Sequence, residues 1–301
     1  MRRNVISALT VMVTVFATVV AAQPLPSPVS TVLFAAKFPS TNQLVTNEYA
    51  YWNPLRTNAV RSVDWELTSG SLFASSGYGW TGKVDRVSPG PTSSAGTNSA
   101  VFRLNTRRHD FSDVVVRFSA KIVRMASNSA TFPVAWDGIH IWLRYQSQYH
   151  LYYASVARRD GVVLIKKKCP GGVFNNGTYY TISPEVKGYP IALGQWRNVA
   201  ATVANRADGS VRITLLVNGS YIVGANDKGV GCPPIRAPGA VGIRGDNAEF
   251  LFTRFAVSRL ETATPTTRSP TPTRAPARML TPTGTLTPRP LAPTGLFTPN
   301  R

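Results

Sequence analysis

Hydrophobic and polar positions alternate with a period of two along much of the chain. The runs that do so are AVFRLNT, FSDVVVRFSAKIV, GIHIWLRYQ, YHLYYASVAR, GVVLIKKK, TYYTISP, WRNVAATVAN, SVRITLLVNGSYIVG, AVGIRG and EFLFTRFAVSRL. Such alternation predicts strands with one face in a core. Beyond the N-terminal run, no window keeps apolar residues at i, i+3, i+4 and i+7, so helix is nearly excluded. Turn chemistry punctuates the runs: RDG at Arg159–Gly161, ADG at Ala207–Gly209 and Asn218-Gly219. Many short strands in one domain predict an all-β, two-sheet antiparallel sandwich or jelly roll. With no repeat of 20–50 residues, a propeller or β-helix is disfavoured.

One stretch carries more chemistry than a structural strand needs. Asp137 to Lys168 reads DGIHIWLRYQSQYHLYYASVARRDGVVLIKKK. With the first turn at Ser147-Gln148, Gln146 faces Tyr149, Arg144 faces Leu151, Trp142 faces Tyr153 and His140 faces Ser155. A second turn at Asp160-Gly161 sets Lys166 opposite Ser155, Lys168 opposite Tyr153 and Ile165 opposite Val156. Side chains alternate between faces. One face therefore gathers Ile139, Ile141, Leu143, Tyr152, Ala154, Val156, Val163 and Ile165, which is core. The other gathers His140, Trp142, Arg144, Gln146, Tyr149, Tyr153, Ser155, Lys166 and Lys168. Trp and Tyr offer flat faces to a sugar ring, Gln and Ser bond hydroxyls, and Arg and Lys meet carboxylate or sulfate. A solvent-facing strand that merely carries polar groups is the plainer alternative.

The two ends of the chain are not domain. Residues 1–22 combine a basic start, an apolar run and Val20-Ala21-Ala22 before Gln23, the pattern of a secretory signal peptide. An uncleaved anchor is the alternative, and no later segment could span a bilayer. Residues 262–301 are rich in Thr and Pro and hold no acidic residue, so they predict a disordered tail open to O-linked sugar. LAPTG at Leu291–Gly295 resembles a sortase motif but lacks the following apolar span. Residues 23–261 remain as one domain.

Charge narrows the partners. Of 33 lysines and arginines, two precede Gln23 and five follow Glu261, leaving 26 against 14 acidic residues and a net +12. In an extracellular setting that field attracts polyanions. It favours acidic polysaccharide over nucleic acid, which is not expected as a partner. The two cysteines, Cys169 and Cys232, lie in turn-like sequence with no further metal ligands nearby, which in an oxidising compartment favours a disulfide.

The segment YPIALGQWRNVAATVANRADGSVRITLLVNGSYIVG and the closing GAVGIRGDNAEFLFTRFAV resemble concanavalin A-like lectin/glucanase and laminin G-like jelly rolls of the bacterial secreted type, over about Ala36 to Leu260. The resemblance implies a jelly roll whose concave sheet holds glycan, and the polar face above is assigned there by analogy. It does not fix function, because the fold hosts lectins, glycosidases, lyases and adhesive modules. The glucanases of this group carry Glu, Asp and Glu at alternating positions of one strand. Here Glu48, Glu66, Glu185, Glu249 and Glu261 are scattered, and a retaining glycosidase needs two carboxylates close together.

By analogy with jelly-roll polysaccharide lyases, Arg144 and Gln146 would neutralise a uronate, and His140 or Tyr153 would act as base or acid. Lys166 would lower the tyrosine pKa. Trp142, Tyr149, Ser155, Lys166 and Lys168 complete the ligand face. Related jelly rolls also hold structural Ca²⁺, for which Asp246 and Glu48 are candidates. Too few oxygens are in view, and a salt bridge from Asp246 to Arg244 is the alternative. No cofactor is required. The Gly-rich GYGWTG at Gly77–Gly82 either overhangs the groove or packs. Asn176-Gly177-Thr178 and Asn218-Gly219-Ser220 are glycosylation sequons. The expectation is a secreted, monomeric, carbohydrate-binding jelly roll for an acidic polysaccharide. A β-eliminating lyase and a structural or adhesive protein are the alternatives.

Overall fold

A computed structural model of the chain describes residues 31–84, 100–129, 131–174 and 176–260. The expected signal peptide, the Thr/Pro tail and the LAPTG motif lie outside these residues. In chain order the elements are β1 (Val32–Ala35), β2 (Gln43–Asn47), α1 (Tyr49–Trp52), β3 (Trp65–Ser69), β4 (Ser71–Ser75), β5 (Tyr78–Trp80), β6 (Val101–Thr106), β7 (Val114–Met125) and β8 (Gly138–Ser147). There follow β9 (His150–Arg158), β10 (Ile165–Pro170), β11 (Gly177–Thr181), β12 (Arg197–Asn205), β13 (Val211–Val217), β14 (Ser220–Asp227), β15 (Ala240–Asp246) and β16 (Ala248–Arg259).

The strands form two antiparallel sheets, one nine-stranded with the order β14-β13-β12-β7-β16-β5-β4-β2, and one seven-stranded with the order β11-β10-β9-β8-β15-β6-β3. β1 pairs with β16 beside that path. This is the two-sheet sandwich that the alternation predicts and the resemblance implies. Every run named from the pattern lies in a strand or next to one. The alternation is too short to reveal β1 to β5 and α1. GYGWTG becomes β5, in the sheet opposite the candidate face. It packs there, with Tyr78 against Trp196 at 5.3 Å and Gly79 close under the Phe252 and Phe38 rings.

Alternation explains the core. Val114, Val116, Phe118, Ala120 and Ile122 of β7 point inward, as do Ile139, Ile141 and Leu143 of β8, and all are buried in one cluster. Trp65 sits among Phe34, Phe252 and Phe255 with ring centroids 5.1–6.3 Å away. Asn218 and Gly219 take φ of +50° and +82°, as a tight primed turn between β13 and β14 requires.

The core also contains ions. Lys167 lies opposite Tyr152 on the inward face, fully buried. Its Nζ donates to both carboxylate oxygens of Asp227, at 3.0 and 2.8 Å, and to the Cys232 carbonyl at 2.5 Å. Tyr152 donates to Asp227 at 2.7 Å and accepts from the Ile235 N–H at 2.9 Å. Cys169 and Cys232 form a disulfide with Cα atoms 5.9 Å apart, so the loop from Asp227 to Ile235 is fastened both covalently and electrostatically. The bridge closes a separation of 63 residues, and loop-closure entropy for such a span supports about 2–4 kcal/mol of stability. Changing both cysteines to serine is expected to lower the free energy of urea unfolding by about that amount, and an unchanged unfolding midpoint would contradict it.

Candidate functional site

The outer face of the seven-stranded sheet is built by register. Arg244 of β15 lies between Arg103 of β6 and His140 of β8, and His140 lies opposite Ser155 of β9. One row along, Gly242 lies between Asn105 and Trp142, and Trp142 lies opposite Tyr153. Lys166 continues that row beside Tyr153, and Glu66 extends it beyond Asn105. The expected pairs His140–Ser155 and Trp142–Tyr153 are present. Lys166 is shifted by two residues from its expected partner Ser155. Lys168 pairs with Leu151 rather than Tyr153, because residues 161–164 form an irregular connection instead of continuing the ladder. The first turn is Gln148-Tyr149, with Ser147 opposite His150, so Gln146 does not face Tyr149.

The face is less open than alternation implies. His140, Trp142, Tyr153, Ser155 and Lys168 are buried, while Lys166, Arg103, Arg244, Glu66 and Tyr179 are half-buried. The buried side chains pack on one another. Trp142 stacks on Tyr145 at 5.2 Å and 13°, and His140 on Tyr153 at 4.4 Å and 24°. Tyr179 meets Tyr153 at 5.8 Å, and Lys168 lies over Tyr179 at 4.9 Å.

Arg144 is not on this face. At Arg144 the backbone turns to φ +48° and the β8–β9 register breaks. That bulge sends Tyr145 to the outer face instead. The Arg144 guanidinium is sealed inside, donating to the carbonyls of Ser112, Ile235, Arg236 and Ala237 and to the Asp113 carboxylate at 2.9 Å. It is a structural tie, unable to neutralise a ligand. Gln146 is exposed, and its Nε2 donates to the Pro238 carbonyl at 2.7 Å. Tyr149 stands at the turn, its Cβ close above Gly177 next to the Lys168 chain.

Electrostatics order the centre. Arg244 grips both oxygens of Asp246 at 2.7 and 2.8 Å and donates to the Tyr179 hydroxyl at 3.0 Å. Burial alone would raise the Asp246 carboxyl, but Arg244 and His140 outweigh it and hold it well below the usual range. His140 Nε2 donates to the Trp136 carbonyl at 3.0 Å and lies 3.4 Å from Asp246, which leaves Nδ1 as the acceptor nitrogen. Burial keeps this imidazole below its ordinary pKa despite the carboxylate. Burial raises the Tyr153 and Tyr145 phenols far above theirs. Lysine was expected to lower Tyr153. The correction has a simple cause: desolvation of a sealed phenolate exceeds the attraction of any cation nearby.

On this face the buried His140 Nδ1 and Trp142 Nε1 make no hydrogen bond among the described residues, while Asn105 and Ser155 have only the Tyr145 and Tyr153 phenols as neighbours to bond. Each unbonded atom costs about 1–3 kcal/mol. Arg103, beside them, has neither an ion pair nor a hydrogen bond among the described residues, and burial followed by repulsion from Arg244 lowers its pKa. Asn105 leans over Gly242, where an added Cβ would meet its Oδ1 at 2.6 Å.

The proposed calcium ligands do not fit a cation. Both oxygens of Asp246 are held by Arg244, and Glu48, between β2 and α1, has Oε2 accepting the N–H of Gly70 at the β3–β4 turn at 2.7 Å. Among the described residues no group of three or more His, Cys, Asp or Glu could hold a metal. The salt bridge from Asp246 to Arg244 is the alternative that holds.

Arg103, Asn105, Tyr145 and Tyr179 carry no signal that sets them apart in the sequence, and Arg244 enters there only as a partner for Asp246. AVFRLNT does place Arg103 and Asn105 opposite the core residues Phe102 and Leu104, but no local signal sets β6 two strands from β8.

No protein-family model matches the sequence, and no curated protein does. Several solved structures are similar to the chain at low identity. One is a protein of unknown function with a galectin-like fold from Bacillus subtilis, 12% identical, covering 73% of this chain and 98% of its own, with TM-score 0.43. Another is the exoplasmic/lumenal domain of VIP36 in a Ca²⁺/Man3GlcNAc-bound form, 9% identical, covering 66% and 84%, with TM-score 0.41. A third is an endo-β-1,4-glucuronan lyase from the fungus Trichoderma reesei, 6% identical, covering 73% and 95%, with TM-score 0.37. No residue of the site is assigned from them.

Proposed function

We propose that the outer face of the seven-stranded sheet binds an acidic polysaccharide outside the cell, without cleaving it. The observation that carries this reading is Arg103, a half-buried cation that makes no ion pair or hydrogen bond among the described residues, set on the same strand as Asn105. The two are alternate residues of one strand, roughly 7 Å apart along it. A carboxylate or sulfate would accept from the Arg103 guanidinium, and charge-assisted bonds of this kind are the strong ones. Lys166 and Lys168 add positive charge on one flank.

The lyase reading is less well supported by the same geometry. Elimination through Tyr153 needs a phenolate, and burial disfavours one. His140 is neutral but wholly buried beneath Tyr153. Neither can meet a substrate proton without a rearrangement.

The test is affinity electrophoresis through gels holding acidic or neutral polysaccharides. Retardation by the acidic polymers alone, weakening as salt rises, is expected. Equal mobility in every gel would overturn the reading and leave a structural role. The binding should also fall with rising pH. Burial, with Arg244 and Arg103 nearby, lowers Lys168 to about 8. Its charge is therefore present below that value and lost above it. Retention on an acidic polymer should decline from about pH 8 upward in the native protein, and the decline should flatten in Lys168→Met. A profile identical in both proteins would remove Lys168 from the account.

A further inference from the structure

Beside Asp246, at one end of the ligand face, a cleft of about 220 Å³ opens between Val101, Asn247 and the loop that joins β7 to β8. Two aromatic side chains of that loop line it while remaining largely in solvent: Phe132 is 74% exposed and Trp136 is 52% exposed. Exposed aromatics on a mobile loop would mean little, but this loop is tied down. Asp137 Oδ2 accepts from Val134 N–H at 3.0 Å and from Asn247 Nδ2 at 3.2 Å, and Arg159 pairs with it at 3.2 Å. Asn247 Nδ2 also donates to the Phe132 carbonyl at 3.2 Å, and its Oδ1 accepts from Thr131 at 2.7 Å. The backbone N–H groups of Arg159 and Asp160 donate to the carbonyls of Asp137 and Ala135 at 2.7 and 3.1 Å. Finally, the Trp136 carbonyl accepts the His140 Nε2–H at 3.0 Å. The backbone that carries the ring is therefore fixed relative to the centre of the ligand face before any ligand arrives, which lowers the ordering cost of binding.

The carboxylates in the cleft wall do not make it a cation site, because Asp137 and Asp246 are both occupied by these bonds and by Arg244. What the cleft offers a ligand is apolar ring surface. We infer that it is an uncharged stacking subsite for a further sugar ring of the same chain that Arg103 engages through its acid group. The inference rests on the proposed glycan reading. It makes the recognised unit longer than one residue and gives the site a direction, with the acid-binding end at Arg103 and the stacking end at Trp136.

The experiment is calorimetric titration of the full chain with uronate oligosaccharides of increasing length, repeated with Trp136→Ala, Phe132→Ala and Trp136→Phe. The native protein should gain affinity as the oligomer becomes long enough to reach the cleft. Trp136→Ala should bind the shortest ligands as well as the native protein does and lose about three- to tenfold on the long ones, the scale of one aromatic contact. Phe132→Ala should lose less, and Trp136→Phe should recover part of the loss because a ring is restored. If Trp136→Ala matches the native protein at every length, the subsite is overturned while the glycan reading stands. If the native protein binds no oligomer of any length, both fall together.

Discussion

Replacing Arg103 with glutamine is expected to abolish measurable retention on acidic polysaccharide while leaving the fold intact. The half-buried guanidinium makes no ion pair among the described residues, so its removal breaks none. It also relieves the repulsion between Arg103 and Arg244, so thermal stability should hold or rise slightly. A charge-assisted bond to a ligand lost from such an environment costs about 1.5–3 kcal/mol, or roughly ten- to a hundredfold in affinity. Arg103→Lys should recover only part of this, since an ammonium cannot make the bidentate contact that guanidinium makes with a carboxylate. Circular dichroism and titration with the same polymer check the two halves. A variant that unfolds would show Arg103 to be structural, and one that binds normally would show that the ligand sits elsewhere.

The largest stability effect is expected at Asp227. It is fully buried, and it holds Lys167, the Tyr152 hydroxyl and the N–H groups of Gly229 and Val230. Asp227→Ala would strand the Lys167 ammonium in the core, and breaking one partner of a buried pair costs about 3–5 kcal/mol. Chemical denaturation should show a loss of that size. Lys167→Met combined with Asp227→Leu should recover part of it, because the charge is then gone from both sides. The recovery stays partial because Tyr152 and the two loop N–H groups still lack their acceptor. Although burial alone would raise it, Lys167 and Tyr152 hold the Asp227 carboxyl below its ordinary value of 3.8. Its contribution is therefore fully present above that value and is lost as pH falls further. An Asp227→Ala protein as stable as the native one would contradict the account of how this loop is held.

Much of this was legible in the alternation. The core face from Ile139 to Ile165, the placement of His140 and Trp142 opposite Ser155 and Tyr153, the disulfide and the two-sheet architecture are all expected from local periodicity and from two cysteines in turn-like sequence with no metal ligands nearby. Lys167 was legible too, since strict alternation puts it on the side of Ile165. What sequence could not supply were the places where a backbone leaves its period and the pairing of distant strands. The bulge at Arg144 turns a presumed ligand residue into an internal tie and brings Tyr145 to the outer face, with no glycine or proline to announce it. β6 reaches the site only through β15, more than 130 residues further along the chain, so Arg103 and Asn105 looked like ordinary polar positions. Burial was the third gap. A face that reads as polar in the sequence is closed in the structure, because its aromatic and cationic side chains pack on each other, and burial shifts the pKa of Tyr153 the opposite way from the one charge alone predicts.

The central claim is binding without turnover at the face of Arg103, His140 and Trp142. The most direct measurement titrates the full chain with a uronate polymer in a calorimeter, then follows the same mixture for ultraviolet absorbance of unsaturated uronate. The account predicts saturable heat that Arg103→Gln removes, with absorbance that stays flat. Absorbance that climbs with time and is abolished by Tyr153→Phe and His140→Ala would contradict it and make the protein a lyase.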